Sequence, residues 1–147
     1  MLVTKSVVFA LLLASSASAL DFRGATIVVP AGASLPEKTA AKMLGEEITK
    51  RTQLRLSTSA TMPVIGPAIL IRTGAGPGPE GFSLTSSAEG SRPVATVRGA
   101  DDRGVIFGAG YLLRQLQMGR QQLELAGGLN LRNEPKVAIR GHQLGYR

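Results

Sequence analysis

One segment restricts the fold more than any other: Arg98-Gly99-Ala100-Asp101-Asp102-Arg103-Gly104-Val105-Ile106-Phe107-Gly108-Ala109-Gly110-Tyr111-Leu112-Leu113-Arg114-Gln115-Leu116. It leaves a strand candidate at 93–97 and enters a helix that Asp101 or Asp102 caps by accepting an orphan backbone N–H. Val105, Ile106, Ala109, Leu112, Leu113 and Leu116 recur at helical spacing and form one apolar face. Gly104, Gly108 and Gly110 each cost roughly 1 kcal/mol relative to alanine in a helix. Close packing of the helix backbone on a sheet is the expected compensation. A phosphate-binding reading of this turn fails, because that pattern needs Lys and then Ser or Thr after its second glycine, whereas Val105-Ile106 follow Gly104.

The preceding residues alternate between strand and helix signals. Ala25 to Pro30 is a β-branched run closed by proline, a strand signature. Ser34-Leu35-Pro36-Glu37 has capping-box spacing with proline in the first turn, and Ala40, Ala41, Leu44 and Ile48 follow on one helical face. Gln53 to Ser57 alternates polar and apolar as a half-buried strand does, and Ala68 to Arg72 is a denser apolar run that predicts a more central strand. The stretch 59–67 between them is a loop. Gly74 to Gly81 lacks the glycine spacing of a dinucleotide fingerprint and reads as a connection between strands. Strand candidates at 82–88 and 93–97 form a hairpin, and shorter ones lie at 121–125 and 129–132. The pattern predicts an α+β fold in which two helices cover one face of a mainly antiparallel or mixed sheet.

The 147 residues suffice for one domain with its own core, and 44% hydrophobic against 18% charged is an ordinary globular balance. Residues 1–19 have the three parts of a secretory leader: Lys5, the apolar run from Val7 to Ala14, and the small-residue triplet Ala17-Ser18-Ala19, with cleavage expected after Ala19. The apolar run is far shorter than the ~20 residues needed to span a bilayer, so no membrane association is expected once the leader is removed. Export without a single cysteine fits a bacterial periplasmic or extracellular setting.

Loss of Lys5 takes the formal net charge from +7 to +6, so the mature chain stays basic. That charge points to an acidic partner, nucleic acid or polyanionic glycan. The arginines are scattered and the aromatics few, which argues against a stacking platform for nucleic acid. Chemistry is thin. His142 is the one histidine, so thiolate and multi-histidine metal sites are excluded and no cofactor is expected. The carboxylates fall at caps, solvated helix faces and loops. Asp101 and Asp102 are adjacent, and a glycosidase pair must instead converge on a substrate from two positions. No catalytic residue is assigned.

At the end of the chain Asn133-Glu134-Pro135 is a turn signal, and Val137-Ala138-Ile139 has the length of a buried strand, with Arg140-Gly141 at its end. Together with residues 99–116, the stretch Pro135-Lys136-Val137-Ala138-Ile139-Arg140-Gly141 resembles the N-terminal accessory domain of family-20 β-N-acetylhexosaminidases and the related N-terminal domain of family-67 α-glucuronidases. The resemblance covers most of residues 24–147 and is strongest in the second helix and the Pro-to-Arg-Gly spacing. Gly145 stands where the hexosaminidases usually have aspartate, and Val137 where they favour an aromatic, so the likeness is to the wider glycoside-hydrolase group.

With the leader over 1–19 set aside, the resemblance implies a non-catalytic accessory domain over 20–132, and a linker with the first strand of a truncated (β/α)8 catalytic barrel over 133–147. It further implies that Arg140 binds sugar hydroxyls at the end of that strand, and that the barrel is the partner through which the glycan substrate is met. The chain by itself is then expected to be inactive. A free-standing carbohydrate-binding module, and an export-compartment interaction domain without a sugar ligand, remain as alternatives.

Overall fold

The computed structural model describes residues 18–137. Eleven elements follow one another: β1 (Ala19–Asp21), β2 (Thr26–Val28), α1 (Leu35–Thr52), β3 (Ser57–Ser59), β4 (Ala68–Thr73), β5 (Phe82–Glu89), β6 (Arg92–Gly99), α2 (Asp102–Gln115), β7 (Gln117–Gly119), β8 (Gln122–Ala126) and β9 (Asn130–Asn133). Six strands form a mixed sheet in the order β3-β2-β4-β6-β5-β9, and β1-β8-β7 form a small second sheet. The fold is α+β, as the pattern predicts. The sheet is mixed because β3, β2, β4 and β6 run parallel, while β5 is antiparallel to both β6 and β9. The hairpin turns at Gly90, whose φ of 64° is a conformation glycine adopts without strain.

Helix α1 begins where its capping box requires, with the Ser34 hydroxyl accepting the Glu37 N–H and the Glu37 carboxylate accepting the Ser34 N–H. Ala40, Ala41, Leu44 and Ile48 are buried on its inner face. Helix α1 continues to Thr52 and is closed by Gln53 at φ 63°. The strand expected over 53–57 therefore does not form. Leu54 and Leu56 pack on the core from irregular chain, and the strand starts only at Ser57. A last helical turn and its cap take up the residues whose alternation imitates a strand.

Helix α2 is capped by Asp101, whose carboxylate accepts the Gly104 N–H at 2.8 Å. Val105, Ala109, Leu112 and Leu116 are buried as expected, while Ile106 and Leu113 lie half-buried at the flanks. Close backbone packing explains two of the three glycines. A Cβ on Gly104 would overlap the Gly81 carbonyl oxygen, and one on Gly108 would come within 2.7 Å of Val97 Cγ1. Gly110 departs from the expectation: a Cβ there would meet nothing within 4 Å.

Helix α2 lies against β4, β5 and β6 and helix α1 against β2 and β4, with Ile69, Ile71, Leu84, Ala95 and Val97 of the large sheet in the core. The small sheet contributes Leu123 and Leu125, both fully buried, and joins the end of α1 where the Thr52 carbonyl accepts the Gln121 N–H. Strand β1 starts at Ala19, the position expected to close the leader, and pairs with β8 through Ala19–Ala126. On the sheet face away from the helices, the chain between β3 and β4 is held to β6 by Arg92, which donates to the Pro63 carbonyl at 2.8 Å. None of the described helices is long and apolar enough to cross a membrane.

Candidate functional site

The carboxylates hold the scaffold together. Glu37 Oε1 accepts the backbone N–H and the hydroxyl of Thr73, and Oε2 accepts the Ser34 N–H at 2.6 Å. Burial pushes its carboxyl up, but these donors outweigh it and leave the net value below the ordinary glutamate range. Asp101 accepts the Glu80 N–H at 2.7 Å and the Gly104 N–H at 2.8 Å, and those two backbone donors hold its carboxyl below the usual aspartate range. Asp102 accepts the Ser34 hydroxyl at 3.0 Å, tying the starts of the two helices together. Glu80 pairs with Arg103, Glu47 with Arg51 and Glu89 with Arg92. Among the described residues no group of three His, Cys, Asp or Glu gathers to hold a metal.

Arg140, the residue that the resemblance assigns to sugar binding, and His142 lie outside the described residues. What is described is the route leading towards them. Strand β9 ends at Asn133, and Glu134 and Pro135 continue along a groove of about 420 Å³ between the helices and the sheet edge. Met43, Phe82, Phe107, Tyr111 and Arg114 line it. The Phe82 and Tyr111 rings stand 5.4 Å apart at 46°, and the Arg114 guanidinium lies 5.6 Å from the Tyr111 ring centre, within cation–π range.

Beside that groove, Leu35, Pro36, Ile106 and Phe107 enclose an apolar hollow of about 360 Å³. Leu35 is 76% exposed and Phe107 42%. Sequence reasoning assigned no role to Phe107 and Tyr111. Their spacing of four places them together along one side of α2, next to the apolar face, and that was the available signal. The arrangement presents an apolar, aromatic-edged surface next to the outgoing chain. It brings no acid and base together over a cleft.

No protein-family model matches the sequence, and no curated protein matches it. Solved structures do match in fold. A family GH20 exo-β-N-acetylglucosaminidase from Vibrio harveyi superposes with a TM-score of 0.58 at 15% identity, over 80% of this chain and 17% of that one. The GH20 β-N-acetylhexosaminidase from Streptomyces coelicolor A3(2) gives 0.58 at 23% identity, over 84% of this chain and 26% of that one. A family GH115 4-O-methyl-α-glucuronidase with specificity for decorated arabinogalactans gives 0.59 at 15% identity, over 81% and 18%. This chain thus has the fold of a segment that makes up 17–26% of these GH20 and GH115 glycoside hydrolases.

Proposed function

We propose that this protein is the non-catalytic N-terminal domain of an exported glycoside hydrolase, supporting a (β/α)8 catalytic barrel that follows it. The observation that carries the reading is the likeness to a minor segment of several glycoside hydrolases. Two features support it. Glu37, Glu80 and Asp101 are engaged in caps, backbone contacts and an ion pair rather than facing one another over a cleft. The outgoing chain runs past an apolar, aromatic-edged groove, the kind of surface a packed neighbour covers.

In this reading residues 1–19 are the leader, 20–132 the accessory domain, and 133–147 the linker and first barrel strand. Arg140 then sits at a strand end, where a guanidinium fork donates two parallel hydrogen bonds to adjacent sugar hydroxyls. The glycan is met through the barrel. Purified chain is expected to leave chromogenic N-acetylhexosaminides and glucuronides unhydrolysed, and sequencing the native transcript beyond Arg147 is expected to find an open frame encoding a barrel. Turnover by the chain alone, or a stop codon directly after Arg147, would overturn the proposal.

A further inference from the structure

The large sheet carries helices on one face only, and its other face bears a row of cations that the packing and ion pairs above do not use. Ile69 and Ile71 on β4, Ala95 and Val97 on β6, and Leu84 on β5 are in the core on the helix side. Alternation along each strand therefore turns Arg72, Arg98 and Ser83 to the opposite face. The register aligns them: Arg72 is paired with Arg98, Arg98 with Ser83, and Ser83 with Arg132 of β9. Four adjacent strands thus present Arg, Arg, Ser and Arg side by side.

Nothing within the described chain neutralises this row. None of the described ion pairs includes Arg72, Arg98 or Arg132. The neighbouring row on the same face is Leu70, Thr96, Thr85 and Asn130, all uncharged. Arg72 Nε is buried and has no hydrogen-bond partner. The Arg98 stem lies along the end of β4: its Cδ is 3.5 Å from where a Cβ on Gly74 would stand.

We propose that this row is a binding site for an acidic polysaccharide, a chain of uronic acid residues laid across β4, β6, β5 and β9. A guanidinium is a planar fork that matches a carboxylate bidentately. Strands in a sheet lie about 4.8 Å apart, so Arg72 and Arg98 are one step apart, a distance comparable with one sugar residue of an extended chain, and Arg98 and Arg132 are two steps apart. Ser83 supplies a hydroxyl where the row lacks a charge. No aromatic side chain lies in either row, so there is no ring on which a nucleic-acid base would stack. The choice of a glycan as the anion rests on the glycoside-hydrolase reading, whereas the cationic row itself does not.

Titration calorimetry of the purified chain with oligogalacturonate, at low salt and at ~0.15 M salt, tests the proposal. The fully methyl-esterified oligomer keeps the backbone and removes the charge. Dextran sulfate, which has no uronic acid, and a single-stranded oligonucleotide supply other polyanions. Oligogalacturonate is expected to bind and its ester not to. Arg98→Ala and Arg132→Ala are each expected to weaken binding roughly tenfold, with Arg98→Lys intermediate because charge is kept and the fork lost. Lys38→Ala removes the same charge from exposed helix surface and is expected to change nothing. Arg132 lies on an exposed edge strand, so its variant tests the site even if replacing Arg98 perturbs folding. Absence of binding, equal binding of the ester, or equal or tighter binding of dextran sulfate or the oligonucleotide overturns the proposal. Failure here leaves the accessory-domain reading standing, and glycoside turnover would defeat that reading without touching the cationic row.

Discussion

Glu37, in the first turn of α1, takes the backbone N–H and hydroxyl of Thr73 at the end of β4, so one carboxylate both starts a helix and closes a strand. Replacing it separates the two functions from simple packing. Glu37→Gln keeps the shape but weakens acceptance from three donors, and is expected to lower stability by about 1–2 kcal/mol. Glu37→Ala leaves the Thr73 N–H unsatisfied and is expected to lower it by about 2–3 kcal/mol. Urea unfolding followed by circular dichroism measures both. Equal stability of wild type and alanine variant would refute the double role.

Acid should weaken the fold through the same group. The native carboxyls of Glu37 and Asp101 are lowered from their ordinary values, so the stability they contribute is fully present above the ordinary carboxylate range. It is lost as pH falls through their lowered native values. The urea midpoint is therefore expected to drop on acidification, and the gap between wild type and Glu37→Gln to narrow with it. A gap that stays constant down to the most acidic pH at which the chain folds would contradict the assignment.

The two aspartates at the start of α2 are expected to differ. Asp101 accepts two backbone N–H groups, so Asp101→Ala should destabilise by about 1–2 kcal/mol. The contact of Asp102 with the Ser34 hydroxyl is exposed, and Asp102→Ala should stay within ~0.5 kcal/mol of wild type. Thermal unfolding of the two variants side by side decides the matter.

Glycines in α2 give opposite signs for the same substitution. Gly110→Ala adds a methyl group where nothing stands within 4 Å. It should stabilise by about 0.5–1 kcal/mol, the propensity difference between the two residues. Gly108→Ala gains the same propensity but drives its Cβ into Val97 and Phe82, and overpacking of this kind costs about 1–3 kcal/mol. A net loss is expected. Denaturant midpoints of the two single variants check the contrast.

Local signals were legible in the sequence, and long-range pairing was not. The capping box at Ser34 and Glu37, the apolar face of α2 and the 82–97 hairpin each depend on residues close together in the chain. The alternation over 53–57 misled, because Leu54 and Leu56 reach the core from the chain that leaves α1. Pairs such as Leu20–Leu125 and Leu84–Leu131 join residues distant in sequence, and no local pattern announces them. The expected site residue, Arg140, lies outside the described residues, whereas the cationic row is invisible without register. Arg72, Arg98 and Arg132 look scattered along the sequence until three strand pairings set them side by side.

Strand β1 has a temporal consequence. Its partner β8 lies more than a hundred positions downstream, so the first strand finds its place only after nearly all of the described chain has left the ribosome. Until then β1 has no strand to pair with.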